Sequence, residues 1–507
     1  MTGRARGGQL GSRRAGRGVG ATAVALVLVA EALAVVGGPL PAGAAASGLA
    51  WRPCATRFRC ATLRVPLSYA HPDGATIGLS VVMLPATRHA AGDVVLNPGG
   101  PGGSGVAFLE QAWRAFPAAL RSSFNLVSFD PRGVGRSDPV RCVGPAGTRA
   151  LLRVDPAPVT ARQVRALVAA TKSFVAACRA HTPAALLENV SSLDTARDLD
   201  RLRAALGQAR LNYLGFSYGT YLGELYASLF PSRVRALVLD GVVDPALSTV
   251  AGDLQQARGF ESELAHFFSW CDATPSCRRE LPGGAAAAYG AVFARLVAGH
   301  ALVAHLRPAF GGTQPVTYGV AVVGAVAALY SESTWPDLAA ALASARAGDG
   351  DLFAALAFSY AGAEPDGQFT NELAAETAIS CVDRPAPRTL AAYEALAARL
   401  ARLAPHFGAA EAWGTLPCAY WPVRPSGVVG PIRAPGTPTI LVVGTTGDPA
   451  TPYAAARAVA HELAHAVLLT RVGEGHTAYL GSTCVQRYVD RYLATGIAPR
   501  PGTTCRG

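Results

Sequence analysis

The sequence contains few charged residues and almost no lysine. Asp, Glu, Lys and Arg make up only 16% of its 507 residues, whereas 50% are hydrophobic. This composition excludes a highly charged, disordered chain and is typical of a globular protein with a sizeable core. Lys172 is the single lysine, and the arginines are scattered without a basic stripe or an aromatic-basic module. We therefore expect no nucleic-acid partner.

The ten cysteines lack the C-x-x-C spacing that is common in metal sites and redox motifs. An even number of cysteines without that spacing favours disulfides formed in an oxidising compartment. Because the cysteines fall in neighbouring pairs along the chain, we predict five bridges: Cys54 with Cys60, Cys142 with Cys178, Cys271 with Cys277, Cys381 with Cys418, and Cys484 with Cys505.

The first 46 residues have the pattern of an export signal. Five arginines precede an apolar run over Val19–Val36, and the small residues AGAAAS follow at Ala42–Ser47. Glu31 interrupts the apolar run, so the pattern favours a cleaved signal peptide over a retained membrane anchor. We expect cleavage between Ala45 and Ser47 and a secreted mature protein that has no membrane span.

The rest of the chain contains no internal repeat and no low-complexity linker. Strand-like runs alternate with helical ones from about Cys60 to Asp244, and strand signals return at Thr439–Val443 and Ala466–Arg471. Such alternation predicts an α/β fold with a mostly parallel central sheet. The chain in between is Ala-rich, helical in period and without clear strand alternation, which indicates a helical insertion. The predicted division is a core over residues 47–245, a cap over residues 246–425, and a returning core over residues 426–507.

The pentapeptide GFSYG at Gly215–Gly219 has the G-x-S-x-G pattern of a nucleophile elbow. It follows the apolar, strand-like Leu211–Leu214 and precedes the helix-forming Thr220–Leu229. The small residues on either side of the serine permit a sharp turn that exposes its hydroxyl, which a histidine must then activate. Ser217 is therefore the predicted nucleophile. The alternative is a glycine-rich turn with an idle serine.

A strand that runs into a glycine cluster, VVLNPGGPGGSG at Val94–Gly105, predicts an oxyanion hole. Glycines let backbone N–H groups converge on one point, and the second donor in such sites is the N–H of the residue after the nucleophile. We expect the N–H groups of Gly100 and Tyr218 to be these donors. The alternative is a flexible turn, against which the rigid Pro98 and Pro101 argue.

An acid and a base follow near the end of the chain. TILVVGTTGDPATP places Asp448 in a loop beyond an apolar strand, and GEGHTAY places His476 in a glycine-flanked loop after the last strand. The order Ser217, Asp448, His476 is that of α/β hydrolases. We therefore predict a Ser-His-Asp triad on an α/β-hydrolase fold with a helical cap, and no metal or organic cofactor.

A competing motif is HELAH at His461–His465, which matches the H-E-x-x-H pattern of zinc peptidases. A zinc site needs a third ligand, and the extended pattern fails because Leu468 and Arg471 stand where it requires a glycine and a histidine. The segment also falls where an α/β hydrolase has a helix that packs on the sheet. We interpret His461 and His465 as solvated helix residues, with the zinc peptidase as the less favoured alternative.

With these residues the chain resembles the exported tripeptidyl aminopeptidases of Gram-positive actinobacteria, relatives of proline iminopeptidases among the α/β-hydrolase serine peptidases. PGGPG at Pro98–Gly102 is similar to that group's HGGPG loop, with proline in place of histidine. LDGVVDP at Leu239–Pro245 and AISCVDRP at Ala378–Pro385 also resemble its sequences. So does the cysteine-bearing C-terminal segment from about Gly414 to Cys505.

The resemblance implies a secreted serine exopeptidase that releases short peptides, tripeptides above all, from substrates with a free N-terminus. It also implies that the helical cap closes the cleft and anchors the substrate's α-ammonium group. A buried ammonium requires a paired acid. The candidate acids in or beside the cap are Glu332, Glu372, Glu376 and Asp383.

Two other functions remain open at this level. An esterase acting on small acyl esters would use the same triad without an ammonium anchor. An exported binding protein would keep the fold without turnover, although the filled triad positions argue against it. The sequence leaves open the length of the released peptide and the oligomeric state.

Overall fold

The computed structural model describes residues 48–506 of the chain. The predicted signal peptide lies outside the described residues. Within residues 48–506, no helix is both long and apolar enough to cross a membrane.

A ten-stranded sheet forms the centre of the protein, in the order β1-β2-β3-β5-β4-β6-β7-β10-β11-β12. Strands β1, β2 and β3 are antiparallel to their neighbours, and every pair from β5 to β12 is parallel. Its strands are β1 (Arg52–Cys54), β2 (Phe58–Pro66), β3 (Thr76–Leu84), β4 (Asp93–Asn97), β5 (Asn125–Phe129), β6 (Leu211–Phe216), β7 (Val234–Asp240), β10 (Ile440–Gly447), β11 (Ala466–Glu474) and β12 (Thr504–Arg506). A separate antiparallel hairpin contains β8 (Leu302–His305) and β9 (Thr313–Val316).

Helices cover both faces of this sheet. Along β4, Val94 and Leu96 pack with one buried cluster, while Val95 packs with the other. Strands buried on both faces are continuously apolar, and β4 and β6 contain only buried residues. The helices of the core are α1 (Gly105–Ala112), α2 (Ala118–Ser123), α3 (Pro145–Leu152), α4 (Ala161–His181), α5 (Ala184–Leu187), α6 (Ser192–Ala205), α7 (Tyr218–Leu229), α18 (Tyr453–Glu462) and α19 (Thr483–Thr495).

The insertion between β7 and β10 is mostly helical and has a core of its own. Phe260, Phe267, Trp335 and Phe353 are buried together in it. Its helices are α8 (Thr249–Ala273), α9 (Pro275–Glu280), α10 (Ala285–Val297), α11 (Tyr318–Leu329), α12 (Trp335–Arg346), α13 (Asp351–Tyr360), α14 (Glu372–Asp383), α15 (Leu390–Leu403), α16 (Gly408–Gly414) and α17 (Leu416–Tyr420).

The observed fold confirms the predicted α/β class and the mostly parallel sheet. The insertion is mostly helical, as expected, but it also contains the short hairpin of β8 and β9, which the sequence analysis did not predict. The short strands carry polar or turn-forming residues such as Gln314 and Pro315, so their sequence has no clear apolar alternation. The antiparallel β1 and β2 at the sheet edge were not predicted either.

Five disulfides are present, and they are the five pairs predicted from the spacing. No free cysteine remains in residues 48–506. Two of these disulfides each connect two secondary-structure elements. Cys381–Cys418 joins α14 to α17 within the cap, and Cys484–Cys505 joins α19 to the edge strand β12.

Candidate active site

Ser217 occupies the turn between β6 and α7. Its backbone has φ 53° and ψ −128°, a strained conformation for a residue with a side chain. The flanking glycines are required by close packing. A Cβ added at Gly219 would lie 2.7 Å from the carbonyl oxygen of Asn97, and one added at Gly215 would collide with the carbonyl of Gly219. The elbow geometry therefore follows from the glycines of the pentapeptide.

Asp448 and His476 are held together at the carboxyl ends of β10 and β11. His476 Nδ1 lies 2.8 Å from Oδ1 and 3.0 Å from Oδ2 of Asp448. The buried carboxylate also accepts hydrogen bonds from the backbone N–H groups of Ala450, Thr451 and Thr477, at 3.0, 2.8 and 3.1 Å. These donors stabilise the ionised carboxylate and fix the orientation of the imidazole.

The imidazole of His476 is shielded by the cap. The ring of Tyr330 meets it edge to face at 5.3 Å between centroids, and the Tyr330 carbonyl accepts the His476 backbone N–H. Burial by itself would lower the pKa of His476, but the charge and hydrogen bond of Asp448, with the charge of Asp240, raise it above the ordinary value. His476 and Ser217 line the same cavity. The arrangement can supply a strengthened general base beside an exposed hydroxyl.

Asp240, at the end of β7, is a site residue that the sequence analysis did not single out. Its carboxylate accepts the backbone N–H groups of Ala478 at 3.0 Å and Tyr479 at 2.8 Å, in the loop that carries the histidine. Its backbone carbonyl accepts the N–H of Ser217. Burial raises the pKa of Asp240 to about 6, against the effect of these donors. Asp240 thus connects the elbow to the histidine loop.

The glycine loop after β4 packs directly on the elbow. A Cβ at Gly99 would lie 2.9 Å from the Cβ of Ser217 and 3.0 Å from the nitrogen of Tyr218, so glycine is needed for this approach. Asn97 Oδ1 accepts the N–H of Gly99 at 3.0 Å and shapes the loop. Gly100 and Tyr218 line the cavity above Ser217, and neither backbone N–H has an acceptor within residues 48–506. Two free donors beside the hydroxyl are what an oxyanion hole requires.

Tyr218 also contacts the cap through its side chain. Its phenol hydrogen-bonds to Ser192 and lies 3.4 Å from Asp383, the last residue of α14. Asp383 in turn accepts the backbone N–H of Ser192 at 2.8 Å and the Ser192 hydroxyl. Burial raises the pKa of Asp383 to about 6, although its donors oppose that change. One of the four acids predicted to anchor an ammonium is therefore engaged in a network beside the nucleophile.

A cavity of about 410 Å³ lies over Ser217 and is lined by four other carboxylates: Asp244 after β7, Asp253 on α8, Glu376 on α14 and Glu411 on α16. Glu376 was among the predicted acids, whereas Asp253 and Glu411 were not. Burial, then the charges of Glu372 and Glu411, raises the pKa of Glu376 to about 7. Burial, then the charge of Asp253, raises the pKa of Glu411 to about 8.

The same cavity contains one nearby cation, Arg384. Burial raises the pKa of Asp253 to about 7, and the charge of Arg384 opposes that rise. One nitrogen of Arg384 donates to the carbonyl of Leu247 at 2.8 Å. Within the described chain, Oδ2 of Asp253 is buried without a hydrogen-bond donor. The cavity thus contains more acid groups than cations.

A second lobe of about 350 Å³ shares Ser217, Tyr330, Tyr360 and Glu376 with the first. It reaches His476, and its walls are largely apolar, formed by Leu152, Val323, Ala361 and Leu373. Glu372 lines this lobe. Burial raises its pKa. Glu332, the remaining predicted acid, is exposed in the short 3₁₀ turn Glu332–Thr334 and lines neither lobe.

The HELAH segment does not have the geometry of a zinc-peptidase helix. Helix α18 ends at Glu462, so His461 lies in its last turn and His465 lies beyond it. Both histidines are exposed, and the carbonyl of His465 accepts the N–H of Ile440 at the start of β10. The interpretation of both residues as helix residues was wrong for His465.

Comparison with known proteins places the chain among related hydrolases. Residues 404–505 match the family described as TAP-like protein. The chain is 36% identical to the serine protease Hip1 of Mycobacterium tuberculosis over 95% of this chain and 96% of that protein. It is 32% identical to the tripeptidyl aminopeptidase of Streptomyces lividans over 92% and 88%. It is also 36% identical to carboxylesterase B of Mycobacterium tuberculosis over 88% and 86%.

Proposed function

Because this chain belongs to the family of tripeptidyl aminopeptidase-like serine peptidases with the α/β-hydrolase fold, we propose that it is an exported exopeptidase that releases short peptides, above all tripeptides, from free N-termini. Its five disulfides fit an extracellular protein. The observation that carries the proposal is the acid-lined cavity over Ser217.

The chemistry follows from the triad. Ser217 Oγ attacks the scissile carbonyl while His476 takes its proton and later gives it to the leaving amine. Asp448 accepts a hydrogen bond from the Nδ1–H group of His476, which leaves Nε2 unprotonated and free to act as the base. The N–H groups of Gly100 and Tyr218 hold the negative oxygen of the tetrahedral intermediate.

We assign the binding of the substrate's α-ammonium group to Glu376 and Glu411, with Asp253 as a third acid in the same cavity. Burial raises the pKa values of all three acids, and the charge of a neighbouring acid adds to the rise at Glu376 and Glu411, so the cavity disfavours their ionised forms. A substrate ammonium placed among them would restore the ionised forms and supply the missing positive charge. The acids and Ser217 line the same cavity of about 410 Å³, which has room for a short N-terminal segment between them.

A carboxylesterase is the second candidate, and two observations favour it. Carboxylesterase B has the same 36% identity to this chain as the serine protease, over 88% of the chain instead of 95%, and the second lobe beside His476 is largely apolar. An esterase would not need the acids of the first lobe. Whether turnover requires a free amine on the substrate therefore distinguishes the exopeptidase from the esterase.

The test combines a substrate change with a residue change. Aminoacyl, dipeptidyl and tripeptidyl anilides, their N-acetyl forms and a short-chain ester are assayed with the wild type and with Glu411→Gln. We expect acetylation to lower kcat/KM at least about a hundredfold, because it leaves the cavity acids without the cation. Glu411→Gln should weaken turnover of free peptides and change that of acetylated peptides little.

Two variants serve as controls. Ser217→Ala should stay folded and lose activity by several orders of magnitude on every substrate, which identifies the nucleophile. Glu394→Gln removes an exposed glutamate of α15 outside the cavity and should behave as the wild type. Equal rates on free and acetylated peptides, or faster turnover of the ester with no effect of Glu411→Gln, would favour the esterase.

A further inference from the structure

Three side chains form a cluster at the junction of the cap and the sheet, apart from the catalytic residues. Glu263 and His266 are one turn apart on α8, and Glu474 ends β11. His266 Nδ1 lies 3.0 Å from Glu474 Oε2 and 3.8 Å from Glu263 Oε2. One ligand atom of each residue lies within 4.8 Å of the others.

Glu263 is the unusual member of this cluster. Its side chain is only 1% exposed, and within the described chain its Oε1 is buried without a hydrogen-bond donor. A second carboxylate, that of Glu474, lies beside it. Two adjacent carboxylates, one of them buried with an unpaired oxygen, are unfavourable unless a cation or a proton compensates their charge.

We propose that Glu263, His266 and Glu474 bind one divalent ion of the zinc type, which joins cap helix α8 to the end of β11. The ligand set favours zinc over calcium, because an imidazole nitrogen with two carboxylate oxygens suits zinc whereas calcium prefers oxygen ligands alone. Half-exposed His266 gives the ion access from solvent, and water completes a four-coordinate site.

The position of the site gives the ion a structural role. Glu474 is two residues before His476, and the N–H of Gly475 donates to the carbonyl of Gly447, next to Asp448. An ion bound there attaches the long cap helix to the loops that carry the triad's acid and base. It lies outside the reacting atoms, so the chelated protein is expected to keep its turnover.

The experiment measures metal binding by the whole purified protein after treatment with a chelator. Zn²⁺ is titrated calorimetrically, Co²⁺ is followed by its visible absorption, and thermal unfolding is recorded with each ion and with Ca²⁺. We expect one equivalent of Zn²⁺ to bind, a higher melting temperature with Zn²⁺ and Co²⁺ than with Ca²⁺, and a Co²⁺ spectrum typical of nitrogen and oxygen ligands.

His266→Ala removes an exposed ligand and should lower the Zn²⁺ affinity by about a hundredfold or more, without unfolding the protein. Gly447→Ala is a second test, because its added Cβ would collide with the Glu474 carboxylate and displace a ligand without removing it. The matched control is His461→Ala in the HELAH segment, which should bind as the wild type. No binding, or binding that His266→Ala leaves unchanged, would overturn the proposal. The proposal would also be overturned if His266→Ala lost its turnover on chelation and regained it with Zn²⁺, because the ion would then act at another site.

Discussion

Tyr218 performs two tasks at the candidate site with different parts of the same residue. Its backbone N–H is one of the two proposed oxyanion donors, while its phenol hydrogen-bonds to Ser192 and Asp383. Since Asp383 ends α14, this hydrogen-bond network connects the oxyanion donor to the cap. A small movement of the cap can therefore change the position of the donor.

Tyr218→Phe tests this connection. The change removes the phenol hydrogen bonds and keeps the backbone N–H, so we expect a folded enzyme with kcat lowered about tenfold, the effect of one hydrogen bond of about 1.5 kcal/mol. Tyr453→Phe is the control, because it removes a 2.7 Å hydrogen bond to Thr470 on the far side of β10. Steady-state kinetics of both variants decide the matter. An unchanged kcat in Tyr218→Phe, or an equal loss in both variants, would contradict the positioning role.

The sequence could predict those site residues whose geometry is determined by their neighbours along the chain. Ser217 is positioned by glycines two residues away, so a pentapeptide was enough to propose it. Glu411 and Asp253 reach the cavity only through the packing of α16 against α8, and no local pattern marks them. Glu332 was predicted as a candidate acid because it lies in the cap sequence, but its side chain lies outside the cavity.

At the scale of the elements, α14 is the segment on which the cap's chemistry depends most. It carries Glu372, Glu376 and Asp383, and the bridge Cys381–Cys418 attaches it to α17. The central parallel strands, such as β4 and β6, could be predicted because burial on both faces makes them mostly apolar, whereas the short edge strand β12 was not predicted. The hairpin of β8 and β9 could not be predicted from the sequence, because its four-residue strands depend on tertiary packing.

Removing the cap bridge should change substrate binding as well as stability. The double variant Cys381→Ala/Cys418→Ala is expected to lose about 2–4 kcal/mol of unfolding free energy and to raise KM for free peptides, because α14 is then less restrained. Cys484→Ala/Cys505→Ala removes a bridge far along the sheet and should lose similar stability with KM unchanged. Chemical denaturation and steady-state kinetics measure the two effects. An equal change of KM in both variants would mean that the bridge has no special relation to the cavity.

At the scale of the whole molecule, the cap brings acids together in a place that favours their protonated forms. Asp253, Glu376 and Glu411 come from three different helices, and burial is the first cause of each raised pKa. Arg384 is the cation that opposes the rise at Asp253. In the protein without its substrate, ionisation of these acids at neutral pH is therefore unfavourable.

The raised pKa values predict that the substrate-free protein becomes less stable as the pH rises from about 5.5 to about 8.5. The folded protein keeps protons on Asp253, Glu376 and Glu411 up to about pH 7, 7 and 8, whereas unfolded carboxyls lose them near pH 4. Because the folded pKa values are the higher ones, the stabilisation is complete at low pH and is lost as the pH rises through them. The Glu376 side chain is exposed in the cavity, and solvent weakens electrostatic effects there. Glu411 should therefore contribute more than Glu376 to the change of stability with pH.

Calorimetric melting temperatures across that range, measured with a chelator present, provide the test. Glu411→Gln cannot ionise, so its melting temperature should fall less with rising pH than that of the wild type, while Glu394→Gln should follow the wild type. A ligand with a free ammonium should reduce the loss at high pH, because it stabilises the ionised acids, and its acetylated form should not. A wild-type melting temperature that is constant or rises from pH 5.5 to pH 8.5 would show that the cavity acids are not protonated in the folded protein. It would then remove the electrostatic reason for assigning them to the substrate's amine.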